Sequence, residues 1–233
     1  MRIRFLGTGP AEAIPRAGHD DPLCRDALAG GRSRRLRSSV LIQENGTSIL
    51  IDAGPDLRAQ LSSEEIRGLS AVFLTHRHSD AAGGVAWLPP ELAIHEPDRT
   101  TTVRAGPLTV TCVPVLHTTD GRFPTRGFAV NGRFGYVSDC RAIPPRSRRR
   151  LTGLDILAFD AAAYLGCRNP THFSVEQTID MAMKLRPRRL LLTQTGHTYP
   201  PNAIAMRAVR RYAKQCGCPF PVGIAYDGLV LKL

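Results

Sequence analysis

Short apolar runs broken by turn residues predict a sheet that begins at the N-terminus. "RIRFLGTG" and "SSVLIQENGTSILIDAG" read as strands, and Asn45-Gly46 between two hydrophobic segments signals a hairpin. "LSAVFLTH", "LTVTCVPVLH", "RFGYVSD" and "LDILAFDA" are further strands that run straight into His76, His117, Asp139 and Asp160. Strand ends are rigid while the loops after them are free to carry chemistry, so this placement favours a built site. Helical periodicity shows in "SVEQTIDMAMKL", opened by Ser174 with Glu176 and Gln177 in its first turn, and in "NAIAMRAVRRYAKQCG", closed by Gly217. A third, short helix is expected from "AAGGVAWLP". Residues 17–38 are polar, basic and glycine-containing, which reads as a loop that is either mobile or pinned by something.

No solenoid repeat, low-complexity linker or domain boundary interrupts the pattern, and 233 residues at 42% hydrophobic suffice for one core. A single domain spanning 1–233 is expected. The N-terminus lacks a basic stretch followed by an apolar run, and no segment approaches the length of a membrane span. The expectation is a soluble, cytoplasmic protein with no membrane partner. Six scattered cysteines in such a chain favour reduced thiols or metal ligands over a disulfide framework. The pair Cys216 and Cys218 lacks zinc-knuckle spacing and reads as a loop feature.

Thirty-one basic against 20 acidic residues give a net charge of +11, concentrated in "RSRRLR", "RSRRR" and "RPRR". Such a field suits anionic substrates, phosphates above all, although solvated arginine faces alone would supply solubility.

"VFLTHRHSDAAGG" carries His76, His78 and Asp80 immediately after a buried strand, where a short turn directs two imidazoles and a carboxylate toward one point. His117 and Asp139 are the natural later partners. Histidines with a carboxylate suit a first-row divalent ion, which acidifies water or acts as a Lewis acid at a phosphoryl oxygen.

"GTG", "LIDAG", "LTHRHSDAAGG", "VLH" at His117, "VSD" at Asp139, "PTHFS" around His172 and "LLTQTGH" resemble, in order, the motifs of the metallo-β-lactamase fold over essentially the whole chain. Within that superfamily the chain looks most like the phosphoribosyl cyclic phosphate phosphodiesterases of phosphonate degradation, relatives of the tRNA 3′-end processing nucleases. The resemblance implies an α/β fold: an αββα sandwich of two mixed β-sheets flanked by helices. It implies a first metal site of His76, His78 and His117, with Asp139 bridging to a second. Asp80 would serve the second site and help hold the attacking hydroxide, and His172 would protonate the leaving oxygen or contact the phosphate. Two positions depart: Ala81 and Gln194 stand where the family has histidines, both at the second site. One firmly bound ion (Zn, Mn or Fe), or an altered second one, is the expected outcome.

The resemblance also implies a structural zinc held by the loop after the first strand. In "GHDDPLCRD" its ligands become His19, Asp21 and Cys24, joined by His197 from "QTGHTYP"; the alternative is a loop that has lost its zinc. Asp52 in "LIDAG" is expected to orient a metal-binding histidine through its ring N–H. His95 reads as a surface or outer histidine, Asp160 and Tyr164 as flanking the mouth of the site, and Asp227 as structural. Arg168 and Asn169 are placed to contact a phosphate.

The function implied is a metal-dependent phosphodiesterase acting on a small cyclic or nucleotide-like phosphate ester. A second reading resembles the pyrroloquinoline quinone biosynthesis protein, with a histidine and carboxylate iron centre in a non-hydrolytic oxidative role. A third is a catalytically silent phosphate- or nucleotide-binding protein. Nucleic acid is disfavoured as a partner, since no long inserted arm or aromatic stacking motif accompanies the basic runs. A homodimer is compatible with the sequence.

Overall fold

In β2 (Ser39–Glu44) and β3 (Thr47–Ile51) both faces are apolar, so each strand needs cover on two sides. The computed structural model, which describes residues 1–96 and 101–233, supplies that cover with a four-layered arrangement. The first sheet has the order β13-β1-β2-β3-β4-β5. It adds β1 (Arg2–Gly7), β4 (Ala71–Phe73), β5 (Ile94–His95) and β13 (Val230–Lys232). The second has the order β12-β11-β10-β9-β8-β7-β6. Its strands are β6 (Thr102–Ala105), β7 (Leu108–Val115), β8 (Thr125–Val130), β9 (Phe134–Val137), β10 (Ile156–Asp160), β11 (Leu190–Thr193) and β12 (Val222–Ile224). Both sheets are mixed: β3, β4 and β5 run parallel in the first, β9 to β12 in the second, and the other pairings are antiparallel.

Strand alternation divides the core into layers. Val40, Ile42, Ile49, Ile51 and Phe73 meet Val110, Phe128, Phe134, Tyr136 and Ala158 between the sheets. The intervening Leu41, Leu50 and Val72 face outward onto Leu57, Leu61, Ile66 and Leu88. Leu57, Leu61 and Ile66 belong to or flank the short helices α2 (Leu57–Gln60) and α3 (Ser63–Arg67), which follow α1 (Pro22–Leu28) in the chain, and Leu88 comes from a later turn. On the far side, Leu157, Phe159, Leu190 and Leu192 pack against the two long helices, α6 (Val175–Leu185) and α7 (Asn202–Gln215).

After β4 come α4 (Ser79–Ala82) and, after β9, α5 (Pro145–Arg148). The expected helix over 81–89 is instead divided into α4 and a separate 3₁₀ turn, Val85–Trp87. The break lies at Gly83-Gly84, where the Gly84 N–H leaves the helix to bond the Ala53 carbonyl at 2.8 Å. The approach is close: a Cβ on Gly54 would meet the Asp80 carbonyl oxygen at 2.0 Å, so the turn after β3 is pressed against the one bearing Asp80.

α6 (Val175–Leu185) opens with a full capping box between Ser174 and Gln177 and buries Val175, Ile179, Ala182 and Leu185. α7 (Asn202–Gln215) buries Ala205, Val209 and Ala213. Residues 17–38 are pinned rather than mobile, and part of them is helical: Asp21 caps α1 by accepting the Cys24 N–H. The pin is Arg35, only 3% exposed despite its place in a basic run. Its guanidinium bonds Thr8 Oγ1 at 2.6 Å, the Ala225 carbonyl at 2.7 Å and Asn202 Oδ1 at 3.0 Å. Its backbone pairs with Ile14. Asp227, which accepts from Thr8 Oγ1 and the Leu36 N–H, sits beside it; burial pushes that carboxyl up to about 6 against the pull of those donors and Arg35. Among the described residues no helix is long and apolar enough to cross a membrane, and the cysteines are free thiols.

Candidate metal centre

The edge where β4, β7, β9 and β10 end gathers the predicted residues. His76, His78 and His117 place ring nitrogens within 4.8 Å of one another, as do the sets His117, Asp139 and His172, and His76, Asp80 and Asp139. Asp139 Oδ1 is the hub: it lies 3.8 Å from His76 Nε2, 3.9 Å from His117 Nε2 and 4.0 Å from His172 Nε2. Asp80 Oδ1 stands 3.8 Å from His76 Nε2.

Hydrogen bonds on the far nitrogens fix which atom each ring presents. The Thr75 hydroxyl donates to Asp52, so it accepts from His76 Nδ1–H at 2.9 Å. His117 Nδ1–H donates to the Thr171 carbonyl at 3.1 Å. Both rings therefore turn an unprotonated Nε2 into the cluster, and His76 Nε2 is buried there without any hydrogen-bond partner. Burial lowers the His117 and His78 pKa values, which keeps both in the neutral form that ligates. An orphaned, lone-pair-bearing nitrogen facing a carboxylate is what a divalent cation satisfies, so the donor set fits a metal ion.

Asp52 was expected to orient a histidine directly. The structure inserts a residue: its carboxylate takes the Thr75 N–H and hydroxyl at 2.8 and 2.9 Å, and Thr75 relays the constraint to His76. Burial pushes the Asp52 carboxyl well above its ordinary range, with Asp139 and Asp80 adding to the push; a cation among the ligands reverses the sign of that local field. Burial pushes the Asp139 carboxyl up, but the facing His76, His172 and His117 rings and the Gln194 amide N–H hold it below its ordinary value.

Gln194 Nε2–H donates to Asp139 Oδ2 at 2.6 Å, while its own amide oxygen is held by the Ser38 hydroxyl. The second oxygen of the hub is thus occupied by an amide, and Ala81 offers only a buried methyl group. Asp139 and Gln194 both carry left-handed backbone, φ +48° and +62°, conformations that side chains other than glycine adopt at a cost.

His172 is gripped from behind: its Nδ1 lies 2.7 Å from Asp160 Oδ2. Asp160 does not flank the mouth, as expected, but is fully buried, where it also receives the Cys140 N–H. Burial alone would lower the His172 pKa, but Asp160 and Asp139 raise it to about 9. Tyr164 packs against Tyr199, ring centroids 4.9 Å apart. A cavity of about 280 Å³ opens on the centre, lined by Asp80, Asp139, His172, Asn169, Arg16 and His197 among others. Arg168 points to Ser174 Oγ at 3.5 Å and does not line it. His95 stacks on Phe73 at 4.5 Å, away from the cluster.

The loop set is assembled in part. His19, Asp21 and His197 form a group with ligand atoms within 4.8 Å, but Cys24 falls outside it, buried in α1. Asp21 divides its oxygens between the α1 cap and His19 Nδ1, 3.7 Å away.

Residues 86–193 match the model of a family described as the beta-lactamase superfamily domain, and residues 32–97 that of the metallo-beta-lactamase superfamily. Together these two matches span residues 32–193 of the chain and point to the metallo-β-lactamase fold. Its two-sheet architecture is that fold. Among solved metallo-β-lactamase folds, a new diphosphatase from the PhnP family is 26% identical, with a TM-score of 0.83 over 100% of this chain and 97% of that one. Zn²⁺-bound PqqB from Methylobacterium extorquens is 21% identical, with a TM-score of 0.79 over 100% of both chains. An octanoyltransferase of Porphyromonas gingivalis (strain ATCC BAA-308 / W83) is 27% identical over 86% of this chain and 47% of its own length, so the chain spans about half of that relative.

Three groups that shape the centre escaped the motif reading. Thr75 lies in the quoted "LTH" but gives no metal-ligand signal of its own; Ser38 and Phe123 arrive from distant loops with none at all.

Proposed function

We propose that the chain is a metal-dependent phosphodiesterase that hydrolyses a small phosphate ester, with one divalent ion at its centre. The carrying observation is the pair of His172 and the buried Asp160, aimed at the Asp139 side of the histidine cluster, across a cavity of about 280 Å³. That volume suits a small ester rather than a polymer. The resemblance to a PhnP-family diphosphatase supports hydrolysis at phosphorus.

His76, His78, His117 and Asp139 would hold the ion, which when bound supplies Lewis acidity to the phosphoryl group and lowers the pKa of water. The remaining roles belong to side chains. Asp80, on the cavity wall, accepts a hydrogen bond from the attacking water and orients it. His172, kept protonated by Asp160, delivers a proton from Nε2 to the leaving oxygen. Arg16 and Asn169 at the wall offer donors to the remaining phosphate oxygens. Gln194 keeps Asp139 in place through its amide N–H, in the position a second ion would otherwise stabilise. The loop set of His19, Asp21 and His197 is proposed as a weaker, separate ion site.

Hydrolysis of bis(p-nitrophenyl) phosphate by the metal-loaded chain, abolished in His76→Ala and in His172→Ala, is the expected result. A fully metal-loaded chain without turnover on this diester or on cyclic phosphodiesters would remove the reading.

A further inference from the structure

The imidazoles of the centre are not secured alike. His76, His117 and His172 each have a hydrogen bond on the nitrogen turned away from the cluster, from Thr75, Thr171 and Asp160. His78 is the exposed member of its ligand triad, and its imidazole makes no hydrogen bond among the described residues. Its ring lies flat on Phe123 instead, centroids 4.3 Å apart and planes 16° from parallel. Phe123 also meets His76 edge-on at 6.1 Å.

The segment carrying Phe123 is built to hold it there. Asp120 Oδ1 accepts from Thr118 Oγ1 at 2.6 Å and from the Arg122 N–H at 3.1 Å, closing a turn on itself. Arg141 Nη1–H donates to the Thr119 carbonyl at 3.2 Å. The buried Thr125 hydroxyl donates to the Phe123 carbonyl at 3.2 Å, and Pro124 restricts the backbone of the residue before it. One residue further, the Arg126 N–H bonds the Thr75 carbonyl at 2.8 Å, which fastens the segment to the strand end that precedes His76.

We propose that Phe123 is the positioning residue for His78: the stacked ring performs for this imidazole what a hydrogen bond performs for the other three. An exposed histidine has several rotamers, and a ligand must lose that freedom when it binds an ion. A flat aromatic surface at stacking distance removes the freedom beforehand and keeps water off one face of the imidazole. It leaves both ring nitrogens unblocked.

The inference rests on the metal-centre reading but not on the reaction, so its test needs no substrate. Zn²⁺ affinity of the full chain is measured by chelator competition for Phe123→Ala, Phe123→Leu and Phe123→Trp. Loss of the stack should weaken binding about tenfold in Phe123→Ala. Phe123→Trp should retain affinity, and Phe123→Leu should fall between. In a His78→Ala background, Phe123→Ala should have no further effect, because the pathway through His78 is already gone. Unchanged affinity in Phe123→Ala, leucine serving as well as tryptophan, or an equal loss in the His78→Ala background would each overturn it. A chain that shows the expected pattern and hydrolyses no phosphodiester sustains this inference while removing the proposed function; a chain that binds no metal removes both.

Discussion

Two clusters of histidine and aspartate reach one cavity, the central one through Asp80 and Asp139 and the loop set through His197, and they differ in how their side chains are held. At the centre, His76 and His117 are buried, leave strand ends, and have their far nitrogens committed to Thr75 and Thr171. In the loop set, His19 and Asp21 are about 40% exposed, at 42% and 41% of their side-chain surface, and come from the turn before α1. His197 bonds the Ala13 carbonyl through Nε2 at 3.2 Å and keeps a buried, unpartnered Nδ1, while its ring stands 5.6 Å from that of His19. The same residue types thus make a prearranged site in one place and a site that must order its ligands in the other. Ion affinity should separate accordingly, because ordering exposed side chains costs conformational entropy that the buried set has already lost.

The largest break in this contrast is His76→Ala, which removes a buried ligand on which two of the candidate sets converge. Metal analysis should show the ion of the centre lost and the loop ion kept, with hydrolysis at background. Next is Thr75→Val, which leaves every ligand in place but removes the acceptor for His76 Nδ1. Chelator competition should read a loss of roughly 10–100-fold in affinity at the centre and none at the loop.

Arg35→Ala tests the loop side. It deletes three buried hydrogen bonds, to Thr8, Ala225 and Asn202, that tie residues 17–38 to the body of the fold. Denaturant unfolding should show a loss of roughly 3 kcal/mol, and the loop ion should be lost before the central one on chelator titration. The smallest effect is that of Cys24→Ala. Because the thiol lies outside the group of His19, Asp21 and His197, bound zinc at the loop should be unchanged, whereas His197→Ala should abolish it.

The contrast also explains what was legible in the sequence. The strands that are covered on both faces write themselves as apolar runs, and the spacing of His76, His78 and Asp80 after such a run needs only a short turn to converge. His117 and Asp139 were legible because they end strands of the neighbouring sheet. Partnerships across the fold were not. Asp52 reaches His76 only through Thr75, and Phe123 joins His78 from a loop 45 residues on, so no local spacing encodes either contact. Arg35 was hidden by composition: an arginine within "RSRRLR" reads as solvated, and only the convergence of Thr8, Asn202 and Ala225 makes its burial tolerable. Asp160 read as flanking the mouth of the site because its strand ends there, but the fold closes His172 over it.

The central claim is that His172 moves a proton and does not hold the ion. Phosphodiester turnover by His172→Ala, normalised to its measured metal content, tests this most directly. The account predicts metal content equal to that of the unsubstituted chain and turnover reduced by about 10²–10⁴-fold. Loss of the metal together with turnover, or turnover undiminished per bound ion, would contradict it.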